Sequence, residues 1–410
     1  MRYVIIGGSI ASVGAIEGIR KFDREGSITV ISDEPDPYYS RPLISYYLAG
    51  KIDRAGLYYR KPEFYQRNRV QVITGKACNL APDGVVTLES GEKIPYDKLL
   101  LAVGGTPLLY DRLAAGRDNV VGFYTLEDVE RIRLQVMPGI RVAVIGAGLV
   151  GLKAAEALYY LNAKPTVVDL APYPLSGILD PVGGEMVERH LRSKGVECKL
   201  GMEVSSLEGT PRVKEVVFTD GSHLDCDMVI IAAGVRPNLA LAAGTGIDTG
   251  QGILVDEHQE TSIPSVYAAG DVAQAQELLS GDKKVVPILP LAWEQGRIAG
   301  MNMAGHEAVY RGSLAVNSVS LLDMAIMTAG DSRAEGLCAV GDNPPYYRKI
   351  VLQDGGVTGL IAINHVDNMG IITGMIRKRV RIEGHESLLL QPRLNGVDVR
   401  SCLPTAITGL

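Results

Sequence analysis

The feature that most constrains the fold is a pattern of buried strand, glycine turn and helix, which the chain contains twice. In residues 4–12 the apolar run Val-Ile-Ile ends at Gly-Gly-Ser before a helical pattern begins, and in residues 141–151 the run Val-Ala-Val-Ile ends at Gly-Ala-Gly. Because the free N–H groups and the dipole of a helix N-terminus attract anions, such turns bind the pyrophosphate of a dinucleotide. Two copies therefore predict an α/β fold with two dinucleotide-binding domains of the Rossmann type.

The second copy carries the complete glycine pattern G-x-G-x-x-G. The predicted NAD-binding residues of this turn and helix start are Gly146, Gly148, Leu149, Val150 and Gly151. The next strand ends at Asp169, 169 − 146 = 23 residues after the first glycine. A spacing of about 20 is expected for an acid that binds the ribose hydroxyls, and such a carboxylate repels the additional phosphate of NADP. The alternative is an exposed aspartate at a strand end.

The first copy keeps Gly7 at the tight turn but has Ser9 and Ser12 where the pattern has its second and third glycines. Small side chains still let the backbone approach a phosphate. The residues predicted to bind the other dinucleotide here are Gly7, Ser9, Ile10 and Ala11. The next strand ends in Asp33 and Glu34, and either carboxylate could hold the ribose, with Glu34 preferred. Taken alone, this motif is also compatible with an unrelated strand–turn–helix unit.

Three further apolar runs end in small residues at positions 102–104, 233–234 and 270–271. This pattern is typical of segments that pass close to a bound dinucleotide. An acid at such a strand end can hydrogen-bond the ribitol of a flavin. We therefore predict that Ala102, Val103, Gly104, Ala233 and Gly234 lie close to a bound dinucleotide, and that Gly270 and Asp271 bind FAD.

In this order, the motifs resemble the FAD- and NAD(P)-dependent reductases with two dinucleotide-binding folds, the glutathione-reductase-like class, over nearly the whole chain. The helix start Ala-Trp-Glu-Gln-Gly-Arg at residues 292–297 belongs to the same resemblance. The resemblance implies that Ala102, Val103 and Gly104 bind FAD, that Ala233 and Gly234 bind NAD, and that Ala77 and Trp293 also contact FAD. It implies an FAD domain of residues 1–114 and 240–310, an inserted NAD domain of residues 115–239 and a C-terminal α+β interface domain of residues 311–410. In that last region, alternating segments around residues 354–356 predict antiparallel strands.

Residues 39–45 read Tyr-Ser-Arg-Pro-Leu-Ile-Ser and resemble a stretch that lies along FAD in rubredoxin, ferredoxin and nitrite reductase flavoproteins. This implies Arg41 and Pro42 as flavin-site residues, although Arg41 could instead be a solvated loop cation. Relatives without a redox cysteine often carry a lysine and a glutamate, paired near flavin N5, where this chain has Tyr46 and Lys153. The resemblance therefore implies Lys153 and Tyr46 as catalytic residues, with Lys153 stabilising the reduced flavin. The alternative is a lysine on an exposed helix face.

Thiol chemistry beside the flavin is disfavoured, because residues 38–48 contain no cysteine where disulfide reductases of this class carry their redox thiols. The five cysteines of the chain are scattered and form no C-x-x-C pair. This predicts no metal site and favours a reducing cytosol.

Charge and hydropathy exclude other classes of function. The net charge of −6 disfavours a nucleic-acid partner. No apolar stretch approaches the roughly 20 residues that span a bilayer, and a strand directly at the chain start is unlike a signal peptide. The sequence therefore predicts a cytoplasmic protein with neither nucleic acid nor membrane as a partner.

The predicted function is that of an FAD-dependent NADH oxidoreductase that exchanges electrons between NAD(H) and a redox protein or iron–sulfur subunit, as an oligomer or as the FAD/NAD subunit of a larger complex. One alternative is a stand-alone NADH oxidase or diaphorase, and another is a structural or redox-sensing flavoprotein without turnover. Four cations in residues 376–381 predict electrostatic docking of an acidic iron–sulfur partner. The alternative is a solvated basic face, with the apolar tail after it packed on its own domain.

Overall fold

The computed structural model describes residues 1–36, 38–81, 84–108, 113–342, 345–382 and 386–391. The apolar tail beyond residue 391 lies outside the described residues. Residue contacts group the chain into two compact units. The first consists of Met1–Leu43, Ile52–Thr106 and Val235–Ser313, and the second of Ile44–Lys51, Pro107–Gly234 and Leu314–Leu410.

Strands and helices alternate in residues 2–74 and 120–200, and longer runs of consecutive strands lie between and after these two segments. The helices are α1 (Ile10–Phe22), α2 (Ile44–Leu48), α3 (Pro62–Arg67), α4 (Leu126–Arg133), α5 (Leu149–Tyr160), α6 (Pro181–Ser193), α7 (Leu289–Met303), α8 (Met369–Lys378) and α9 (Glu386–Leu389). The strands are β1 (Arg2–Ile6), β2 (Ser27–Ser32), β3 (Val70–Thr74), β4 (Ala77–Ala81), β5 (Val85–Leu88), β6 (Lys93–Pro95), β7 (Lys98–Leu101), β8 (Gly105–Pro107), β9 (Val120–Gly122), β10 (Arg141–Ile145), β11 (Lys164–Asp169), β12 (Glu197–Leu200), β13 (Val204–Glu208), β14 (Glu215–Phe218), β15 (His223–Asp225), β16 (Met228–Ile231), β17 (Val235–Pro237), β18 (Ile253–Leu254), β19 (Val266–Ala268), β20 (Ala273–Gln276), β21 (Lys283–Lys284), β22 (Val316–Leu321), β23 (Met324–Gly330), β24 (Leu337–Asp342), β25 (Pro345–Gln353) and β26 (Gly356–Ile363).

The first unit is built on a parallel sheet in the strand order β19-β7-β1-β2-β3. Helix α1 connects β1 to β2 and packs against α7, and its apolar face covers the sheet with side chains such as Val13 and Ile16 that are fully buried. Because the chain leaves β1 toward β2 on one side and β7 pairs with it on the other, the carboxyl end of β1 lies at a topological switch point. Open α/β sheets bind their ligands at such points.

The second unit repeats this arrangement in a parallel sheet of order β12-β11-β10-β16-β9, in which α5 connects β10 to β11. Strand β10 occupies the position that β1 has in the first unit. An antiparallel sheet of β13, β14 and β15 covers one side of the core through Leu207, Val216 and Phe218. The prediction of two Rossmann-type folds is therefore confirmed.

The C-terminal part of the second unit is an antiparallel sheet of order β22-β23-β26-β25-β24, against which α8 packs. Strands β25 and β26 are joined at Asp354 and Gly355, so the predicted antiparallel pair around this turn is confirmed. Within the described ranges, the helices are all too short or too polar to cross a lipid bilayer.

Candidate dinucleotide sites

The two glycine turns have the same backbone geometry. Gly7 has φ = 112° and Gly146 has φ = 117°, a region that side chains disfavour. A Cβ atom at Gly7 would lie 2.1 Å from the carbonyl oxygen of Ala102, and one at Gly146 would lie 2.2 Å from that of Ala232. Each turn therefore packs directly on the end of the neighbouring strand, which places the predicted residues 102–104 and 233–234 beside the two turns.

The third position of the pattern differs between the two turns. Gly151 packs so closely that a Cβ atom there would lie 1.9 Å from the carbonyl oxygen of Gly146. In the first turn Ser12 occupies the same position, and its hydroxyl group donates a hydrogen bond to the carbonyl oxygen of Gly7. The first turn has therefore replaced close backbone packing with a side-chain hydrogen bond.

Ser9 is the N-cap residue of α1, with extended backbone angles, but its hydroxyl group makes no capping hydrogen bond. Burial raises the pKa of Tyr59, and the neighbouring hydroxyl groups of Ser9 and Ser40 partly offset that rise. Ile10 and Ala11 begin the helix and are buried. The N–H of Ser12 already donates to the Ser9 carbonyl oxygen, whereas those of Ile10 and Ala11 have no partner among the described residues and are left for an anionic ligand.

Asp271 follows β19 at the same edge of the sheet as Gly7. Burial raises the pKa of this carboxyl group, and the nearby cation of Arg41 opposes that effect. Among the described residues, none donates a hydrogen bond to the carboxylate. A carboxylate that is largely removed from water needs hydrogen-bond donors, so the site fits the hydroxyl groups of the FAD ribitol.

Glu34 and Arg41, both predicted flavin-site residues, form an ion pair in the structure. The hydroxyl group of Tyr39 donates to the other oxygen of Glu34 over 2.5 Å, and Arg41 also donates to the Tyr39 oxygen over 3.1 Å. The preferred ribose acid is therefore already tied to the cation beside it, whereas Asp33 is exposed. Pro42 lies exposed next to this pair.

Two further predicted FAD residues are Trp293 on α7 and Ala77 on β4. The indole N–H of Trp293 donates to Glu17 over 2.9 Å. Glu17 is 17 − 10 = 7 residues beyond the start of α1, which corresponds to about 10 Å along the helix. Ala77 is the first residue of β4, three residues after the end of β3. The contacts of Trp293 and Ala77 with FAD stay predictions.

The second turn is open where a dinucleotide would approach. A Cβ atom built at Gly148 would have no neighbour within 4 Å, and Val150 in the first turn of α5 is 44% exposed. Asp169 ends β11 beside this turn, where its carboxylate accepts hydrogen bonds from the backbone N–H groups of Ala147 and Ala171. The open cradle and the adjacent strand-end acid fit the pyrophosphate and ribose of NAD.

Lys153 lies on α5 with 14% of its side chain exposed and forms an ion pair with Glu156, one turn along the same helix. Its ammonium group also donates to the carbonyl oxygen of Ser320 over 3.1 Å and lies 4.5 Å from the ring centre of Tyr46. The two predicted catalytic residues are thus in contact. Glu156 was not among the residues predicted from the sequence, although its spacing of three residues from Lys153 on a helix indicates such an ion pair.

The chain thus contains two parallel-sheet folds, each with a glycine turn. Asp271 lies at the sheet edge of the first turn, and Asp169 ends a strand beside the second. These features define a flavin- and pyridine-nucleotide-dependent oxidoreductase. Residues 1–308 match the family model described as pyridine nucleotide-disulphide oxidoreductase, and the chain belongs to this family. FAD and NAD(H) are its cofactors, and it is an FAD-dependent NAD(P)H oxidoreductase.

Individual relatives extend over most of the chain. It is 32% identical to the epsilon subunit of NADH-dependent phenylglyoxylate dehydrogenase from Aromatoleum evansii, over 92% of both proteins. It is 33% identical to an NADH oxidase from Methanocaldococcus jannaschii, over 82% of this chain and 75% of that protein. Putidaredoxin reductase, in the crystal structure of its covalent complex with putidaredoxin, has 27% identity and a TM-score of 0.89 over 98% of both chains.

Proposed function

We propose that this chain takes electrons from NADH and passes them through FAD to a separate redox protein or iron–sulfur subunit, as the FAD/NAD subunit of a multisubunit oxidoreductase. When bound, the flavin accepts two electrons from the nicotinamide and can release them singly or as a pair. The epsilon subunit of phenylglyoxylate dehydrogenase and putidaredoxin reductase support a protein partner. Their similarity spans more than nine-tenths of this chain in both cases.

The observation that carries this proposal is the position of the thiols. The flavin-site segment at residues 38–48 has no cysteine. Burial raises the pKa of Cys198 to about 11 and that of Cys226 to about 12, so both thiols stay protonated at neutral pH. Cys78 and Cys338 are exposed on strands, and none of these four cysteines forms a disulfide in the described part of the chain. Among the cysteines in the described part of the chain, none is a candidate thiol relay beside the flavin, which supports direct transfer of electrons from the flavin to the acceptor.

The binding residues divide between the two turns in this proposal. The first turn of α1, Asp271 and Arg41 hold FAD, while the Gly146 turn and Asp169 hold NAD. Residues 311–410 serve as the interface domain of an oligomer or complex. The unpaired thiols of the four described cysteines support a reducing compartment such as the cytoplasm.

A stand-alone NADH oxidase is the second candidate, and the similarity to the NADH oxidase of Methanocaldococcus jannaschii favours it. The two candidates differ in the fate of the electrons. An oxidase passes them to oxygen at a rate that matches the reduction of its flavin, whereas an electron-transfer subunit reacts slowly with oxygen and quickly with its partner.

The test is rapid mixing of the FAD-loaded protein with NADH in the absence of oxygen. We expect the flavin absorbance to bleach within the dead time or in the following second. The reduced protein is then mixed either with air-saturated buffer or with the proteins that co-purify with the native chain at low salt. Faster reoxidation by a co-purifying protein supports the proposal. Equally fast reoxidation by oxygen supports the oxidase, and an unreduced flavin overturns both.

A further inference from the structure

The two-residue turn between β22 and β23 has an unusual backbone. Leu321 pairs directly with Met324, so Leu322 and Asp323 alone form the turn. Both have positive φ values, 47° and 73°. This is the geometry of a type I′ turn, which favours asparagine and glycine. A leucine in this conformation persists only where its surroundings fix it.

Side chains from α5 and α6 fix this turn. Leu322 is 1% exposed, and its N–H donates to Glu156 over 2.9 Å. A ring nitrogen of His190 lies 2.7 Å from the Leu322 carbonyl oxygen. Lys194, directly after α6, lies 3.6 Å from the Asp323 carboxylate. Both backbone polar groups of the buried Leu322 are therefore satisfied by the two helices.

The same contacts immobilise Lys153. An ammonium group has three N–H donors. Here they face the Glu156 carboxylate, the carbonyl oxygen of Ser320 and the ring of Tyr46. Glu156 is only 7% exposed in its side chain, so neither member of the pair is free to move into solvent.

Tyr46 is therefore held from more than one side. On α2 its ring lies 4.5 Å from the Lys153 ammonium group, while the ammonium group of Lys51 lies 5.8 Å from the same ring centre. Lys51 itself sits 3.6 Å over the ring of Tyr160 near the end of α5. Cations held over aromatic rings in this way stabilise one orientation of the ring.

We propose that Glu156 is a positioning residue for electron transfer. Through Lys153 it holds the ring of Tyr46, and through the N–H of Leu322 it ties that ring to the β22–β23 turn. A displacement of this turn is then transmitted to Tyr46 along three adjacent contacts. This inference rests on the proposed function, in which Tyr46 belongs to the flavin-site segment.

The test measures the limiting rate of flavin reduction at saturating NADH in the FAD-loaded protein. Glu156→Gln removes the charge and keeps the shape, and Tyr46→Leu removes the ring. We expect each to slow reduction about tenfold, less than the roughly 100-fold that a misplacement of about 1 Å can cost, because the remaining contacts still restrict the site. The apparent affinity for NADH should not change. The double variant should be no slower than the slower single variant, since both changes break the same chain of contacts.

Lys194→Ala is the matched control, because it removes a contact with the same turn at its exposed rim. The limiting rate in Lys194→Ala should equal that of the wild type, because the contacts of Glu156 and His190 with Leu322 still hold the turn. Multiplicative effects of Glu156→Gln and Tyr46→Leu, or an unchanged rate in Glu156→Gln, would overturn the proposal.

Urea unfolding of the same variants gives a readout that does not depend on turnover. The double variant of Glu156→Gln and Tyr46→Leu should lower the urea concentration at the unfolding midpoint by less than the sum of the two single losses. Additive losses would contradict the coupling. Should Glu156→Gln fail to fold, Lys153→Arg keeps the ion pair but changes the group over the ring, and should slow reduction without changing the midpoint. A wild-type flavin that NADH does not bleach would refute the proposed function, while the urea cycle would still decide the coupling.

Discussion

Lys349 and Asp180 form an ion pair inside the second unit, and we predict that replacing Lys349 with methionine destabilises the protein strongly. The ammonium group donates to the Asp180 carboxylate over 2.9 Å, and only 6% and 11% of the two side chains are exposed. The Tyr347 hydroxyl group donates to the same carboxylate over 2.6 Å, and Asp180 caps α6 by accepting from the N–H of Gly183 over 3.0 Å. The pair therefore joins the start of α6 to the C-terminal sheet.

Removing one partner of a buried pair costs about 3–5 kcal/mol, because the other charge stays buried without compensation. In Lys349→Met the Asp180 carboxylate keeps two hydrogen-bond donors, which places the expected loss at the lower end of this range. Asp180→Asn keeps the cap, since asparagine is as good an N-cap residue as aspartate, but leaves the ammonium group unpaired. The double variant should lose much less than the sum of the two single losses.

The assay is urea unfolding of the FAD-loaded protein, followed by far-UV circular dichroism at several pH values. Burial by itself would raise the pKa of Asp180, but hydrogen bonds from Tyr347, Lys349 and Gly183 together hold it below its ordinary value. A lowered pKa in the folded state adds stability above the unfolded value of about 3.9, and this is lost as the pH falls through the folded pKa. The difference between wild type and Asp180→Asn should therefore be constant from pH 5 to 8 and shrink only in more acidic solution.

Two results would refute this reasoning. Additive losses in the double variant would show that the two charges are not coupled. A difference between wild type and Asp180→Asn that grows between pH 6 and 8 would show that another group, with a pKa in that range, controls the stability.

Two further predictions concern the reaction itself. Because we propose that Asp169 binds the ribose, NADH should reduce the flavin on the order of 100-fold better than NADPH. The double change Asp169→Ala with Leu170→Arg should reverse this preference in stopped-flow reduction, and equal rates in the wild type would contradict the role of Asp169. Reversing Arg377, Lys378 and Arg379 to glutamate should slow electron transfer to the acceptor protein at low salt but leave the reduction of the flavin by NADH intact, and a triple variant that retains both rates would show that the electrons leave elsewhere.

The parts of the fold that the sequence predicts well are those encoded locally. A strand, a glycine with positive φ and a helix occupy about 20 consecutive residues, so the turns at Gly7 and Gly146 are visible in the chain itself. The order of the motifs then supports a flavoprotein with two such folds, which the family match confirms.

The parts that depend on tertiary contacts are not visible in this way. Asp180 and Lys349 are 169 residues apart, and no local pattern connects them. Glu156 could have been found from its helical spacing to Lys153, but its second partner, Leu322, is 166 residues away. The ion pair between Glu34 and Arg41 also depends on the folded loop, since no helical or strand spacing in the sequence indicates it.

The different third positions of the two phosphate-binding turns have a consequence for protein engineering. Grafting the first turn onto the second would place a hydroxymethyl group at residue 151, where even a Cβ atom lies 1.9 Å from a backbone oxygen. The reverse graft would remove only the hydrogen bond of Ser12. The two modules are therefore exchangeable in one direction only. A sequence search that requires three glycines would likewise find the NAD-binding turn of such chains and miss the FAD-binding turn.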